Sequence, residues 1–444
     1  MYSIKNSIKI GVLFFVITSC FAQKKATKPS TANTNLGYEI TINTQNIPNE
    51  TLQLSLQYGT AKKKLVTDST LVKNSNQKVV FKQPKKIVGA IYRLGLKSNP
   101  NNYIELALDS GSTIQVVILG ADTQTWSVSK NQLNIDFLAY QRVPKPEGLL
   151  LRNELIKKYP KTALHLYLWA ENKIDAPKPS DVKAQELAHA AFFDEVAPTE
   201  KRLAFLPNIN KLLYKYVTSL PISNENYIKH IDKLALGLDC KSQNYVIFIK
   251  YFAANISFFE RYNLEVAYNH LFEKYIKENS CKVFTDSEMN KFSNEYETNK
   301  KVPLNSLFPD VTFARKDSTA VTIQEIYSKN DYTLLTFFSP TCQHCIDKMP
   351  EISKFMTNVK DKFPNKKTTW ITILNDTDET KWMEFLEKNQ LERVAINLKS
   401  MDPTKSYQNQ LNAYSNPCYF LLDQQGKVVL KSFNNKAILE LINQ

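Results

Sequence analysis

Apolar and polar residues alternate at period two in the first part of the chain. Tyr38-Glu39-Ile40-Thr41-Ile42-Asn43 reads as a half-buried strand, and residues 52–58 alternate more cleanly. Residues 104–108 and 113–118 are further strands, with the turn signal Asp109-Ser110-Gly111-Ser112 between them, while 87–96 is apolar without a clear period. The pattern predicts a small antiparallel β domain over 36–130, a sandwich or a barrel.

The period then changes. Residues 149–159 form a helical stretch stopped by Pro160, and 162–170 form another. A polar, proline-containing break at 175–181 ends in Ser180 and Asp181, either of which can cap the next helix. Apolar residues recur at helical spacing through 182–193, 209–220, 224–238, 244–259 and 264–278. The spacing predicts an all-helical domain over 131–302. No internal repeat is present.

Both periods alternate from 303 to 444. Residues 310–313 are extended, 321–329 a short helix, 332–338 a buried strand and 345–359 a helix. A strand at 368–374, a helix at 378–389 and a short strand at 394–397 follow. Residues 419–422 and 427–430 form a hairpin around Asp423-Gln424-Gln425-Gly426, and 437–442 is a last helix. This order describes a three-layer α/β domain with an antiparallel hairpin. Trp370 and Trp382 fall on a strand and a helix of it as core residues.

One motif in this part names a chemistry. The apolar strand runs through Phe337-Phe338-Ser339-Pro340 into Thr341-Cys342-Gln343-His344-Cys345, with Met349-Pro350 in the helix beyond. Two intervening residues let the sulfurs close a small disulfide ring. At a helix start, unpaired backbone N–H groups stabilise a thiolate. Cys342 is the expected exposed nucleophile, and Cys345, about one turn further in, resolves the mixed disulfide. His344, when charged, adds to the stabilisation of the thiolate. A structural zinc site would need two more ligands, and no second Cys-x-x-Cys exists; c-type haem would need histidine where Ile346 stands. Neither a metal nor another cofactor is expected.

Composition and charge narrow the setting. The net charge of +14 comes from scattered lysines with no basic stripe interleaved with aromatics, so no nucleic-acid partner is expected. Lys5 and Lys9 precede a short apolar run at 10–17, the form of an export signal and too short to span a bilayer. Two processing sites compete: a lipoprotein-type box ending in Cys20, which would be lipidated and anchor the chain to a membrane, and an ordinary cleavage after Ala22. Residues 1–22 are read as the signal and 23–35 as a flexible tether. Export permits lasting disulfides. Apart from Cys20 there are five cysteines, too few for a disulfide scaffold. Cys240 and Cys281 either pair or stay as two buried thiols. His165, His189, His230 and His270 form no ligand cluster in sequence.

Residues 303–444 resemble the thioredoxin-like superfamily, in particular exported TlpA/ResA-like disulfide oxidoreductases of the Bacteroidota type. The anchors are the dithiol segment, Met349-Pro350, Ser415-Asn416-Pro417, and then Tyr419-Phe420-Leu421-Leu422-Asp423 with Gly426. The resemblance implies a cis-proline at Pro417 facing the dithiol, backbone hydrogen bonds from Asn416 to a bound peptide, and a substrate groove that also takes in Thr341, Gln343 and His344. Three residues depart from the family: Thr341 replaces the usual tryptophan, Thr336 stands where a buried acid or asparagine is common, and Cys418 follows the proline. Residues 37–125, including Val66-Thr67-Asp68-Ser69-Thr70, and 140–300, including Phe192-Phe193-Asp194, are similar to β and helical regions that precede such domains. The implied function is a thiol–disulfide oxidoreductase of the cell envelope, acting on protein thiols or disulfides and reset by a separate exchange partner. The rival is a non-catalytic envelope protein that docks partners through the same fold.

Overall fold

The computed structural model describes residues 37–432 apart from 61, 259–263 and 360–364. The expected signal with Cys20, the tether and the helix at 437–442 lie outside the described residues.

The N-terminal strands are β1 (Tyr38–Gln45), β2 (Glu50–Tyr58), β3 (Lys63–Val72), β4 (Gln77–Gln83), β5 (Ala90–Leu96), β6 (Asn99–Leu108), β7 (Ser112–Leu119) and β8 (Ser127–Lys130). They form two sheets, ordered β4-β1-β7-β8 and β3-β2-β5-β6. Ile40, Ile42, Ile114 and Val116 of one sheet share a core with Leu52, Leu54, Leu94 and Leu106 of the other, so the domain is a sandwich. It departs from the antiparallel expectation at one pairing. β1 and β7 run parallel, with Tyr38 opposite Ser112. Side chains alternate in the same way in both ladder types, so the pattern of residues does not distinguish them. β3 and β4 escape the apolar pattern because much of their length faces solvent.

The helical part begins by closing a sheet edge. β6 is the outer strand of its sheet, and α1 (Gln132–Arg142) lies along it. Asn134 accepts from Ala107 N at 2.7 Å and donates to Ala107 O at 2.9 Å; Gln141, two turns on, does the same with Glu105. Side-chain amides thus satisfy a strand edge that would otherwise offer free backbone groups. After α2 (Lys145–Lys158) come α3 (Ala163–Asp175) and α4 (Val182–Ala190), capped by Thr162 and Asp181. Each such cap is worth about 1 kcal/mol.

The remaining helices are α5 (Ile209–Val217), α6 (Asn224–Ala235), α7 (Gln243–Phe258), α8 (Glu265–Leu271) and α9 (Asp286–Asn299). α8 passes directly into a π turn at Phe272–Ile276, and α9 starts with a Thr285/Glu288 capping box. Their apolar faces meet in one core that includes Leu212, Tyr216, Ile231, Phe248, Phe252 and Leu271. Cys240 and Cys281 are joined across this part, with Cα atoms 6.0 Å apart. Among the described residues, no helix is long and apolar enough to cross a membrane.

The C-terminal sheet holds β9 (Thr312–Arg315), β10 (Ala320–Thr322), β11 (Tyr332–Phe338), β12 (Thr368–Leu374), β13 (Ile396–Ser400), β14 (Cys418–Asp423) and β15 (Val428–Ser432), in the order β10-β9-β13-β12-β11-β14-β15. β13, β12 and β11 are parallel; β14 and β15 form the expected antiparallel hairpin. Its turn places Gly426 at φ 79°, against the Tyr327 ring, where a Cβ would collide. One face packs against α10 (Ile323–Tyr327) and α13 (Tyr407–Leu411); the other packs against α11 (Gln343–Thr357) and α12 (Glu379–Lys388). Lys431 of β15 reaches Glu265 of α8 at 3.3 Å, a nearly buried ion pair between this domain and the helical part.

Candidate redox site

β11 is a central strand, flanked by β12 and β14, and buried along almost its whole length. Its end is therefore fixed on both sides. Ser339, Pro340 and Thr341 then turn the chain, and Cys342 is the N-cap of α11 with extended backbone (φ −80°, ψ 116°). Its sulfur makes no capping bond, so the first-turn N–H groups remain directed at this end of the helix. Cys345 is fully buried and Cys342 partly exposed; both thiols are free. Burial pushes the Cys345 thiol up to about 12. Pro350 lies inside α11, where it removes a backbone donor five residues beyond Cys345.

Pro417 has a cis peptide bond to Asn416, is buried, and opens β14 beside the end of β11. The Asn416 carbonyl lies 3.4 Å from Cys342 Sγ. The chain thus brings Cys342, Cys345, Asn416 and Pro417 together from positions more than seventy residues apart. Thr341 is at the exposed rim. Gln343 points along the helix to Asp347 at 2.8 Å, and His344 is exposed on the first turn.

The departures from the family pattern acquire local reasons. Thr336 accepts a hydrogen bond from Trp370 Nε1 at 2.9 Å, both side chains being buried. It satisfies the indole of the neighbouring strand and carries no charge toward Cys345. Cys418 belongs to the core on the sheet face opposite the dithiol, with Phe337 and Phe420, because successive strand residues point to opposite faces. It does not line the site. Thr341 donates to Asp376 at 3.1 Å, and Ser339 donates to the same carboxylate oxygen at 2.6 Å. The Ser339 hydroxyl, more than any other contact, holds the Asp376 carboxyl below the usual range.

Asp376 and Asn375 were not visible as site residues in the sequence. Asn375 is buried and donates to Ala413 O at 2.8 Å and to Asn416 Oδ1 at 2.9 Å, while accepting from Tyr407 and Gln408. It fixes the loop that presents Asn416 to the dithiol. Their signal was topological: Phe338 stands level with Leu374 in the parallel β11–β12 pair, so the residues after each strand meet at one sheet edge. Tyr419, an anchor of the resemblance, was not read as a site residue. It pairs across β11 with Thr336 and faces the same core as Cys345.

Elsewhere, the structure brings His189 and His230 together, Nε2 to Nδ1 at 2.8 Å, and sets His270 against Asp232 at 2.8 Å. Burial lowers His189 to about 4 and His230 to about 3.

Residues 330–428 match the family model described as thioredoxin-like. No curated protein sequence matches the chain. Among solved structures, a thioredoxin-like protein from Bacteroides caccae is 18% identical, covering 61% of this chain and 94% of its own, with a TM-score of 0.46. A thiol:disulfide interchange protein from a Bacteroides species is 19% identical over 32% of this chain and 89% of its own, with a TM-score of 0.28. The thioredoxin domain of a thiol-disulfide oxidoreductase from Bacteroides vulgatus is 18% identical over 32% of this chain and 96% of its own, also at 0.28. The C-terminal part of the chain, carried behind a β sandwich and a helical region, is a thioredoxin-like domain.

Proposed function

We propose that the protein is a thiol–disulfide oxidoreductase acting on disulfides or dithiols of cell-envelope proteins. The observation that carries this reading is the placement of a partly exposed Cys342 at a helix N-cap, 3.4 Å from the Asn416 carbonyl, with Cys345 buried one turn below. The thiolate of Cys342 attacks one sulfur of a substrate disulfide and releases the other as a thiol. Cys345 then attacks Cys342 Sγ, releases the second substrate thiol and leaves Cys342 and Cys345 joined. A separate dithiol partner reduces that bond for the next cycle. In the opposite direction the joined pair oxidises a substrate dithiol. The groove beside Asn416 and Pro417, rimmed by Thr341, Gln343 and His344, receives the substrate peptide, whose backbone bonds to Asn416. The N-terminal signal supports export, and lipidation at Cys20 would hold the redox domain at a membrane.

The test is a trap. Cys345→Ser leaves the attacking thiol and removes the resolving one, so the variant expressed in its native compartment should accumulate mixed disulfides through Cys342. Recovery of no such adduct, together with no disulfide exchange by the wild-type protein, points instead to a domain that docks partners without turnover.

A further inference from the structure

The resolving step carries an unmet requirement. Cys345 must pass through a thiolate while fully buried, and burial, with the neighbouring Cys342 adding to it, pushes its thiol up to about 12. The position that would carry an acid in related domains is Thr336, whose hydroxyl oxygen is engaged by Trp370. An anion forming in this core needs a donor that is already in place and not otherwise occupied.

Tyr419 supplies an unoccupied donor in the same core, its hydroxyl making no hydrogen bond to the Cys345 thiol. Its side chain is fully buried, and its hydroxyl has no hydrogen-bond partner among the described residues. A buried hydroxyl without a partner is costly and calls for an explanation. Tyr419 lies on β14 directly opposite Thr336, on the sheet face that packs against α11, and shares a core with Cys345, Met349 and Ile352. Cys345 is the ionisable group whose charge acts most strongly on the phenol, ahead of Cys418, Glu351 and Cys342. Burial holds the phenol protonated far above neutral pH, so it serves as a donor and not as a base.

We propose that the Tyr419 hydroxyl donates a hydrogen bond to Cys345 Sγ as that sulfur loses its proton, and thereby accelerates resolution of the mixed disulfide. In the balanced step, the Cys345 thiol and the Cys342–substrate disulfide become the Cys342–Cys345 disulfide and a free substrate thiol. The bond broken joins Cys342 to the substrate sulfur, which takes up the proton that left Cys345. In this step Cys345 is oxidised and the substrate sulfur is reduced, while Cys342 stays at the disulfide level; Tyr419 keeps its own proton throughout.

The inference rests on the oxidoreductase reading, and one experiment separates the two. The reduced full-length protein is mixed with dithiobis-nitrobenzoate, and release of the coloured aromatic thiolate is followed by stopped flow. Attack by Cys342 releases one equivalent, and resolution by Cys345 releases the second. Tyr419→Phe should leave the first phase unchanged and slow the second by about tenfold to a hundredfold, the usual worth of one hydrogen bond to a charged group. The fold should survive, since the lost hydroxyl has no partner. Tyr419→Met, which also lacks the donor, should show the same selective loss and serves if the first variant is unstable. Equal second phases in folded variant and wild type overturn the role of Tyr419. Absence of both phases in the wild type overturns the oxidoreductase reading itself.

Discussion

Two cysteine pairs occur in this chain, and exposure does not separate them. Cys342, Cys240 and Cys281 are all partly exposed. Cys342 and Cys345 sit at a helix start, their thiols free, with Asn416 and Pro417 facing them. Cys240 and Cys281 are 41 residues apart and joined, bracketing α7, α8 and the π turn. The first pair has a helix end directed at one sulfur, a partner one turn below and a loop that presents a backbone carbonyl. The second pair has none of these, only closure of a long loop. On the proposed function, the same side chain is a reagent in one domain and a staple in the other, and the surrounding backbone makes the difference.

The largest expected effect tests that division directly. Cys342→Ser should lower insulin disulfide reduction by more than about 1000-fold, since the thiolate is the nucleophile. The double change Cys240→Ser with Cys281→Ser should leave it within about twofold. Comparable losses in both proteins would break the comparison. Next in size is stability. Removing the Cys240–Cys281 link should destabilise the helical part by roughly 2–4 kcal/mol, read from urea unfolding, because the unfolded chain regains a long open loop. An unchanged midpoint would show that the link contributes nothing as a staple.

A third effect sharpens the contrast between the helical core and the redox domain. His230 is nearly fully buried, and burial lowers it to about 3. Its folded pKa lies below the unfolded value, so the unfolded state binds more protons as pH falls from about 6.5. Stability is complete above that pH and is lost on acidification, by about 2 kcal/mol at pH 5 for this group alone. The slope flattens only near its folded value. His189, half-buried, shifts in the same direction. Urea midpoints at pH 7 and pH 5 measure this loss, and His230→Gln should reduce the difference; an equal pH dependence in both proteins would remove the histidine pair as its cause.

Much of the fold was legible before the structure. Period-two alternation located β1 and β2, and the helical spacing located α3 and α5 to α8, because burial on one face imposes those periods; α4 was located too, though it buries no residue fully. The pattern failed where one face was not apolar. β3 is largely exposed and β4 only half apolar, and α1 meets the sheet edge through Asn134 and Gln141 as well as through its apolar residues. Asp181, one of the two caps left open with Ser180, was readable since that role depends on a neighbour three residues away, while Thr162 was read only as the start of a helical stretch. The short strand expected at 394–397 lies at Ile396–Ser400, where pairing with β12 sets its limits.

The sequence by itself determined the dithiol on which the proposed chemistry rests. Two cysteines at helical spacing after a buried strand constitute a dithiol through local geometry alone, whereas the Asn-Pro step ahead of the hairpin pointed to the facing loop only through the family resemblance. Tertiary structure alone decided what supports that dithiol. Asn375 anchors the Asn416 loop because β11 and β12 are parallel and in register; Thr336 is spoken for by Trp370; Cys418 is turned to the far face; Tyr419 faces the Cys345 core with its hydroxyl unpaired. Local bonding reaches three or four residues along the chain, whereas these contacts join positions 34 to 83 residues apart through strand order and register, which no short stretch of sequence encodes.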